Sequence, residues 1–338
     1  MRAATNTRYG APEVLDVTDA PRPAIGPREV LVEVRASVVT QGDRRLRAAD
    51  FPGISGVFGR LLIGVFGPRH PVGGSMFAGR VVEVGAEVSR FAVGDDVFGS
   101  VMHGAYAEYL AVGAEGAIAK MPSNVEYGEA ASIPYGAGTA LVFLRDMAKV
   151  QPGERVLIVG ASGGVGRMAV QVAGHLGAEV TGVASRDTDR LRALGAERVI
   201  DYRDVDFTAL GERWDVILDA TEGDHFRSFR RALSDSGRYL SLYLSLRLLF
   251  EMAITALRGG PRAIGGVAQG DAALTEELRE LVEAGAIRPV VGARYPLARI
   301  ADAHAQLEGQ RRWGDVVVDV VEPGASIAST ESALARVA

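Results

Sequence analysis

Residues 155–180 read RVLIVGASGGVGRMAVQVAGHLGAEV and combine an apolar run, a glycine-rich turn and a helical pattern. The apolar run at 155–160 is typical of a buried parallel strand, whereas 166–177 has the periodicity of an amphipathic helix. Three glycines are spaced here as G-x-x-G-x-x-G: Gly160, Gly163 and Gly166. A turn this tight brings backbone N–H groups and the positive end of the helix dipole together, which suits a pyrophosphate. The stretch therefore predicts a dinucleotide-binding turn between a strand and a helix.

Other residues inside this turn can add contacts to a bound phosphate. Ser162 offers a hydroxyl, and Gly164 and Val165 offer backbone N–H groups. A tight turn that binds no ligand is the alternative, but a second strand follows about twenty residues later, as dinucleotide-binding units require. The residues expected to bind the cofactor here are Gly160, Ser162, Gly163, Gly164, Val165 and Gly166.

The end of the second strand, EVTGVAS at 179–185, indicates which nicotinamide cofactor binds. An NAD enzyme usually places Asp or Glu here to hold the ribose 2′-hydroxyl, but this chain has Ser185 and Arg186. A hydroxyl and a guanidinium suit a 2′-phosphate, because arginine binds phosphate in a forked geometry. Arg186 could instead be a solvated loop residue. The pair nevertheless favours NADPH over NADH.

Strands and helices alternate beyond this unit as well. Strand-like runs at 214–220 and 237–243 are separated by helical patterns, which predicts βαβ units and a parallel sheet. Upstream of about residue 124 the chain is rich in strand patterns, as at 30–39, and these return after about residue 285. We therefore expect an α/β protein of two domains, as the length of 338 residues also suggests.

Composition and charge exclude several kinds of function. The net charge is −5 and no long run of Lys or Arg occurs, so a nucleic acid is not expected as the main partner. Cysteine is absent, which excludes disulfides, cysteine zinc ligands and thiol catalysis. The first residues, MRAATNTRYGAPEVL, lack the apolar core of a signal peptide, so we expect a cytoplasmic protein.

One apolar stretch, LSLYLSLRLLFEMAITAL at 240–257, needs to be weighed as a membrane span. A spanning helix needs about 20 mostly apolar residues, and Arg247 and Glu251 interrupt this run. Together with Thr255 and Arg258 they form a polar stripe at helical spacing. We expect an amphipathic helix packed on the protein rather than a membrane contact.

Several motifs, in the same order, resemble the medium-chain dehydrogenase/reductase superfamily, and within it the quinone oxidoreductase branch. Besides the glycine turn they are GAYAEYLAV, EAASIPYGAGTAL, LGAERVIDY, EAGAIRPVV and YPLARIADAHAQLE, and the match runs from about residue 5 to about residue 321. The resemblance implies an α/β fold in which a GroES-like β-barrel catalytic domain carries an inserted Rossmann domain with a doubly wound parallel sheet. It also implies NADPH, a homodimer or tetramer, and reduction of quinones or of C=C bonds conjugated to a carbonyl.

The resemblance also suggests where the two domains meet. The GroES-like domain is expected to comprise residues 1–124 and 271–322, and the Rossmann domain residues 125–270. Residues 323–338 are expected to form a C-terminal tail. The active site would lie in the cleft between the two domains.

Further cofactor contacts follow from the resemblance alone. Thr139 matches a threonine near the nicotinamide, and Tyr202 matches a tyrosine at the adenosine phosphate end. Gly265 and Gly266 match a loop that passes the nicotinamide amide, and RAIGGVA at 262–268 matches a strand that relatives extend across a two-fold axis. Simpler roles stay open, because Tyr202 could only pack at a strand end and the glycines could only form a turn.

The chain departs from its relatives at several ligand positions. It has no cysteine, and Met76 occupies the acidic position of a segment that supplies a zinc ligand in zinc-dependent relatives. His70 and His103 remain, but two histidines without a third ligand are more often packing or loop residues. No metal site is therefore expected. Near the C-terminus, Gly314-Asp315 replaces the Gly-Lys of many relatives, which removes one phosphate contact.

The segment that matches the Asn-Pro-x-Asp of quinone oxidoreductases is TQGD at 40–43. Thr40 replaces asparagine, and its hydroxyl could bond to an acceptor carbonyl or only to backbone at a strand end. Arg45 stands where relatives often carry tyrosine, and it could orient a quinone or anionic oxygen or face solvent. The candidate catalytic residues are Thr40, Asp43 and Tyr135, with the proton supplied by Tyr135, Thr40 or solvent.

These residues predict an NADPH-dependent, zinc-free oxidoreductase that transfers hydride to a quinone or an α,β-unsaturated carbonyl. The first alternative is an enoyl or ketone reductase dedicated to one substrate of secondary metabolism, with residues 241–262 shaping its pocket. The second is a non-catalytic NADPH-binding protein. Such a protein would bind the cofactor without turning over any acceptor.

Overall fold

The computed structural model describes residues 1–51, 60–61, 63–223, 225–309 and 313–321. The predicted C-terminal tail, 323–338, lies outside these residues. Within the described ranges, no helix is both long enough and apolar enough to cross a membrane.

The described elements follow the expected change from strand-rich to alternating patterns. The strands are β1 (Arg2–Thr5), β2 (Asp16–Asp19), β3 (Glu29–Val39), β4 (Met76–Val84), β5 (Asp96–Ser100), β6 (Tyr109–Gly113), β7 (Ile118–Lys120), β8 (Arg155–Val159), β9 (Glu179–Val183), β10 (Arg198–Ile200), β11 (Trp214–Asp219), β12 (Leu233–Ser241), β13 (Arg262–Gly265), β14 (Val291–Pro296) and β15 (Asp315–Asp319). The α-helices are α1 (Gln41–Ala48), α2 (Tyr127–Leu141), α3 (Gly164–His175), α4 (Thr188–Ala193), α5 (Phe226–Phe229), α6 (Leu246–Leu257), α7 (Ala272–Glu283) and α8 (Ile300–Glu308).

The glycine-rich stretch lies in a parallel sheet of six strands, in the order β10-β9-β8-β11-β12-β13. Its central strand β8 pairs with β9 on one side and with β11 on the other, so that Val159 lies beside both Val183 and Asp219. All six strands run in the same direction, but the strand order reverses at β8, because β9 and β10 lie on one side of it and β11 to β13 on the other. Ligands of such sheets bind in the crevice at the carboxyl ends of the strands beside this point. The doubly wound parallel sheet that the sequence predicts is confirmed.

The second large sheet joins strands from both ends of the chain. Its order is β14-β15-β3-β4-β5-β7, and β6 pairs with β3. The pairs are antiparallel except for β14 and β15, which run parallel. This mixed sheet agrees with a strand-rich domain into which the parallel-sheet domain is inserted. The residue numbers of the domain boundaries stay a prediction.

Helix α2 joins the two sheets. It packs on β3, β4 and β5 of the mixed sheet and on α3 of the parallel-sheet unit. Glu126 and Glu129 form a capping box at its start. Small residues dominate its buried face, including Ala130, Ala137 and Ala140, and this allows close approach on both sides. Side chains of α2 can therefore reach the boundary between the sheets.

The prediction for 240–257 needs a correction. Residues 240–241 belong to β12, and the helix begins only at Leu246. A helix that packed its apolar face on the protein would leave the polar stripe exposed, but Glu251 and Thr255 are buried, whereas four apolar side chains of α6 are exposed: Leu246, Leu249, Phe250 and Leu257. The buried polar groups are satisfied, since Arg227 Nε donates to Glu251 at 2.5 Å and Ala263 N–H donates to Thr255 Oγ1 at 3.1 Å.

Candidate cofactor and substrate cleft

The glycine turn lies where β8 ends, at the carboxyl edge of the parallel sheet. Gly160 has a φ of +77°, which favours glycine, and Gly163 N–H donates to Gly160 O at 3.0 Å. Gly166 packs directly on the turn, because a Cβ there would lie 2.2 Å from Gly160 O. Helix α3 begins at Gly164, immediately after the turn. The structure thus has the strand–turn–helix that the glycine spacing predicts.

The amino end of α3 can receive an anion. Its N-cap residue, Gly163, makes no side-chain hydrogen bond, so no capping side chain covers the first N–H groups of the helix. Gly163, Gly164, Val165 and Gly166 line a cleft of about 270 Å³. N–H groups at a helix N-terminus, at the positive end of the dipole, suit a pyrophosphate. The donors present here therefore fit the phosphates of a dinucleotide.

Side chains from both sheets complete this cleft. Thr40 and Gly42 come from the start of α1, and Tyr135 comes from α2. Ala220 and Tyr243 come from the loops that follow β11 and β12 of the parallel sheet. The structure therefore brings two of the predicted catalytic residues, Thr40 and Tyr135, to the same cleft as the glycine turn.

A more open groove continues from the turn towards the predicted 2′-phosphate position. Ser162 and Gly163 line it together with Arg186, an exposed residue. Ser185 is half-buried and Tyr202 is 60% exposed, and neither is among the described residues that line this groove. Of the residues predicted for the adenosine end, Arg186 is therefore the one that the structure brings to the turn.

Three other predicted cofactor residues lie outside the described lining of the main cleft. Thr139 lines a smaller cavity of about 120 Å³ beside Tyr135, and its hydroxyl donates to Tyr135 O at 2.6 Å. A Cβ on Gly265 would lie 2.7 Å from Leu248, and one on Gly266 would lie 2.5 Å from Met147. Both glycines thus allow close packing, and their contact with the nicotinamide stays a prediction.

Thr40 and Asp43 form a capping box at the start of α1. The N–H and the hydroxyl of Thr40 donate to Asp43 Oδ2 at 2.8 and 2.6 Å, and Asp43 N–H donates to Thr40 Oγ1 at 3.1 Å. Ser75 Oγ donates to the other carboxylate oxygen at 2.8 Å. The hydroxyl hydrogen of Thr40 is therefore already bound, which agrees with the strand-end role that the sequence left open.

Asp43 faces away from the cleft, as far as the described residues show. It lines a separate cavity of about 400 Å³ with Tyr106 and His304. Burial raises the pKa of its carboxyl group above the usual value, although hydrogen bonds from Thr40 and Ser75 oppose the shift. In this position Asp43 fixes Thr40 and the start of α1, and its predicted catalytic role would be indirect.

Among the side chains that line the cleft, Tyr135 best meets the requirement for a proton donor. Burial raises the pKa of its hydroxyl to about 12, so it stays protonated at neutral pH. The hydroxyl has no hydrogen-bond partner among the described residues. A Cβ on Gly42 would lie 3.9 Å from Tyr135 Cε2 and 3.3 Å from Thr40 Oγ1, which places the three residues together.

Two further residues of the cleft were left open or missed by the sequence analysis. Arg45 lines the cleft with its side chain 19% exposed, so it does not simply face solvent. Tyr243 also lines the cleft, from the loop that follows β12. The sequence offered one signal for each residue. Arg45 replaces the tyrosine of relatives, and Tyr243 lies in the segment 241–262 that was considered for the substrate pocket.

The chain matches two family models and is similar to several known proteins. A model described as alcohol dehydrogenase GroES-like domain matches residues 26–123, and one described as zinc-binding dehydrogenase matches residues 194–318. Quinone oxidoreductase from Homo sapiens is 30% identical over 91% of this chain and 94% of its own length. The chain belongs to the medium-chain dehydrogenase/reductase superfamily, in its quinone oxidoreductase-like branch. The resemblance seen in the motifs is thereby confirmed.

The chain is also similar to part of a polyketide synthase and to the solved structure of an enoyl reductase. Polyketide synthase GfsB from Streptomyces halstedii is 36% identical over 77% of the chain, but the chain spans only 5% of that synthase. The crystal structure of CurK enoyl reductase has a TM-score of 0.81 and 25% identity, and the match covers 94% of this chain and 98% of CurK. The family and its parallel-sheet domain imply a nicotinamide cofactor, which the open N-terminus of α3 fits.

The side chains that could act as metal ligands do not cluster within the described part of the chain. No group of three or more His, Cys, Asp or Glu side chains there could hold a metal ion. His70 and His103 stack with their ring centroids 3.7 Å apart, and Met76 is buried. The stacked rings agree with the packing role expected for the two histidines.

Proposed function

We propose that this chain is an NADPH-dependent, zinc-independent oxidoreductase that reduces a quinone or an α,β-unsaturated carbonyl. The observation that carries the proposal is the cleft itself, where the uncapped N-terminus of α3 meets Thr40 and Tyr135. When bound, the nicotinamide supplies a hydride to the acceptor. The chain's own residues would bind, orient and protect the reacting groups.

We assign the role of each residue from the hydrogen bonds or protons that it can donate. The backbone N–H groups of Gly164 and Val165 would hold the pyrophosphate. Tyr135 keeps its proton at neutral pH and would donate it to the reduced acceptor, since its hydroxyl has no partner among the described residues. Thr40 and Asp43 would fix the amino end of α1 beside the acceptor.

The preference for NADPH is supported by Arg186. This residue and Ser162 line the groove that leads from the turn. An NAD enzyme usually carries a carboxylate at the end of the second strand of the unit, and this chain has Ser185 there. Guanidinium groups bind phosphate through two parallel hydrogen bonds. We therefore expect the 2′-phosphate to contact Arg186.

Zinc independence is supported by the side chains available. The sequence has no cysteine, and the acidic ligand position carries Met76. We expect strong chelators to leave activity unchanged and metal analysis to find no stoichiometric zinc. Loss of activity with a chelator, and its recovery with added zinc, would contradict this part of the proposal.

Reduction of an enoyl group by a dedicated enzyme is the second candidate. It is favoured by the likeness to CurK, described as an enoyl reductase, and to a polyketide synthase. Tyr243, which lines the cleft from segment 241–262, would then shape the substrate pocket. Both candidates place the same hydride chemistry in the same cleft.

Steady-state oxidation of NADPH, followed by absorbance, tests the proposal and separates the candidates. The acceptors are 1,4-benzoquinone, 2-cyclohexen-1-one and a crotonyl thioester. Turnover of the quinone or the simple enone supports the first candidate, whereas turnover of the thioester alone supports the dedicated enoyl reductase. Tight NADPH binding without turnover of any acceptor would instead indicate the non-catalytic binding protein.

We also propose a cytoplasmic homodimer or tetramer. Strand β13 is at the edge of the parallel sheet, and the neighbouring helix α6 exposes 59% of Phe250 and 89% of Leu257. An exposed apolar face of this size, at the edge of a sheet, is a liability unless a second copy covers it. Light scattering should therefore detect a dimer or larger species at micromolar concentration, and Phe250→Glu should shift it towards monomer. A monomeric wild type would contradict this proposal.

A further inference from the structure

Arg45 carries the only positive charge among the described residues that line the cleft. It lies on α1, and its guanidinium is held in two ways. Nη2 donates to Glu222 Oε1 at 3.1 Å, and Cζ lies 4.5 Å from the ring centroid of Tyr243. The side chain is 19% exposed, so most of it is shielded from water.

The contacts of Arg45 cross the cleft. Arg45 belongs to α1, next to the mixed sheet, whereas Glu222 follows β11 and Tyr243 follows β12 of the parallel sheet. A planar guanidinium stacks on an aromatic ring and keeps its edge N–H groups free to donate in the plane. The tyrosine ring and the carboxylate therefore fix both the position and the plane of this cation.

Arg45 retains donors for a ligand. A guanidinium has five N–H donors, and Glu222 accepts from Nη2. Within the described residues, Nε and Nη1 of Arg45 have no hydrogen-bond partner. The hydroxyl hydrogen of Thr40, the other polar group predicted to contact an acceptor, is bound to Asp43. Arg45 is thus a fixed cation with free donors in this cleft.

We propose that Arg45 is a catalytic residue that binds the carbonyl oxygen of the acceptor and stabilises the negative charge that develops there. This inference rests on the proposed function. A bound nicotinamide would supply the hydride that forms a C–H bond at the β-carbon of an enone, and the C=C electron pair would then shift towards the carbonyl and leave an enolate oxygen beside Arg45. The α-carbon then takes a proton from Tyr135 or water, and Arg45 remains protonated throughout. Fixed donors aimed at a developing oxyanion are among the largest contributions to catalysis.

Glu222 and Tyr243 are positioning residues in this proposal, because they act through Arg45. Tyr243→Leu removes the ring beneath the guanidinium, whereas Tyr243→Phe keeps it. We expect the leucine variant to lower kcat more than it raises KM, and the phenylalanine variant to restore most of the activity. A purely structural role of the ring would not produce this split.

The kinetic test compares Arg45→Met and Arg45→Lys with the wild type, using 1,4-benzoquinone and 2-cyclohexen-1-one. Loss of one oxyanion donor typically lowers kcat by about 10²–10³-fold, and we expect this from Arg45→Met. Arg45→Lys should recover part of it. Arg22→Met is a matched control, because Arg22 also bonds to a glutamate, Glu83, and covers a tyrosine ring, Tyr109, away from the cleft. It should retain wild-type kcat.

Binding of 4-nitrophenol supplies a readout that does not require turnover. Its phenolate resembles the oxyanion of a reduced quinone, and its absorbance reports ionisation. In the presence of NADP⁺ the wild type should bind the phenolate about ten- to a hundredfold more tightly than Arg45→Met does, as expected for a hydrogen bond to a charged group. NADPH affinity, measured by fluorescence, should be equal in the two proteins and shows that the variant is folded.

The outcomes separate the inference from the proposed function. Wild-type turnover together with equal kcat and equal phenolate binding in Arg45→Met would overturn the inference alone. Absence of turnover in the wild type would overturn the proposed function and the inference together. If Arg45→Met does not fold, the kcat values of Arg45→Lys and Tyr243→Leu provide the test instead. Wild-type kcat in both variants would overturn the role of Arg45.

Discussion

Asp315 Oδ1 accepts a hydrogen bond of 3.0 Å from Arg167 Nη2, and this contact ties β15 of the mixed sheet to helix α3 of the parallel-sheet unit. Arg167 is 1% exposed, and its Nη1 also donates to Ser162 O, inside the glycine turn, at 2.9 Å. From the sequence alone, Asp315 marks only the loss of the lysine that many relatives carry there. In the structure the carboxylate instead neutralises the arginine that supports the turn.

Asp315→Asn should therefore destabilise the protein. Removal of one partner of a buried ion pair leaves an uncompensated charge and lowers the free energy of unfolding by about 3–5 kcal/mol. We expect the lower end of this range, because Arg167 keeps its hydrogen bond to Ser162 O. Urea unfolding measures the change. Asp235→Asn is the control, since Asp235 is fully exposed and its contact with Arg213 is 3.7 Å long, and surface pairs contribute little. Equal stability of Asp315→Asn and wild type would refute a supporting role for the pair.

Arg186→Ala should weaken NADPH binding selectively. Loss of a charge-assisted contact with the 2′-phosphate costs about 1.5–3 kcal/mol, which corresponds to about a ten- to hundredfold increase in Kd. NADH lacks this phosphate, so its Kd should stay nearly unchanged. Fluorescence titration with both cofactors provides the measurement. Arg192→Ala, which removes an exposed cation paired with Asp189, is the control, and an equal loss for NADPH and NADH would rule out the assignment.

Thr40→Val should lower both stability and kcat while NADPH affinity stays intact. The substitution removes the capping box of α1, which costs about 0.5–2 kcal/mol, and it loosens the helix that carries Arg45. Thr40→Ser keeps the hydroxyl and should restore both quantities. Thermal unfolding and NADPH oxidation provide the measurements. Unchanged kcat in Thr40→Val would leave Thr40 without a role in the reaction.

Stability should decrease at acidic pH because of His304. Burial and the guanidinium of Arg47 lower the pKa of His304 to about 3, whereas the unfolded chain has a value of about 6.5. The folded protein thus keeps His304 neutral while the unfolded chain binds a proton. The stabilisation is complete above about pH 6.5 and is lost as pH falls towards about 3, by up to about 1.4 kcal/mol for each unit.

Urea unfolding between pH 8 and pH 4.5 tests this dependence. His304→Gln removes the titrating group but can still accept the hydrogen bond that Arg47 Nη1 makes with His304 Nδ1 at 3.0 Å. The free energy of unfolding of this variant should fall less steeply with acid than that of the wild type. Parallel pH profiles for the two proteins would show that another group is responsible.

Local sequence pattern was sufficient to predict the strand, turn and helix at the centre of the parallel-sheet unit. The spacing of Gly160, Gly163 and Gly166 between a strand and a helix predicted the turn, because positive φ, close packing and exposed N–H groups are properties of consecutive residues. The absence of cysteine and the order of the motifs likewise required no structure, and they were sufficient to predict the fold class and the family. Proposals about cofactor preference also rest on two adjacent residues, Ser185 and Arg186.

Tertiary structure decided which way side chains face and what lies opposite them. Hydrophobic periodicity placed Glu251 and Thr255 on one face of a helix, but only packing against Arg227 and β13 decided that this face is buried. Arg45 could equally have faced solvent, because its partners lie far away in sequence, after β11 and β12. The contacts that define the cleft form between the two sheets, and a one-dimensional pattern carries no information about which distant residues the folded chain brings together.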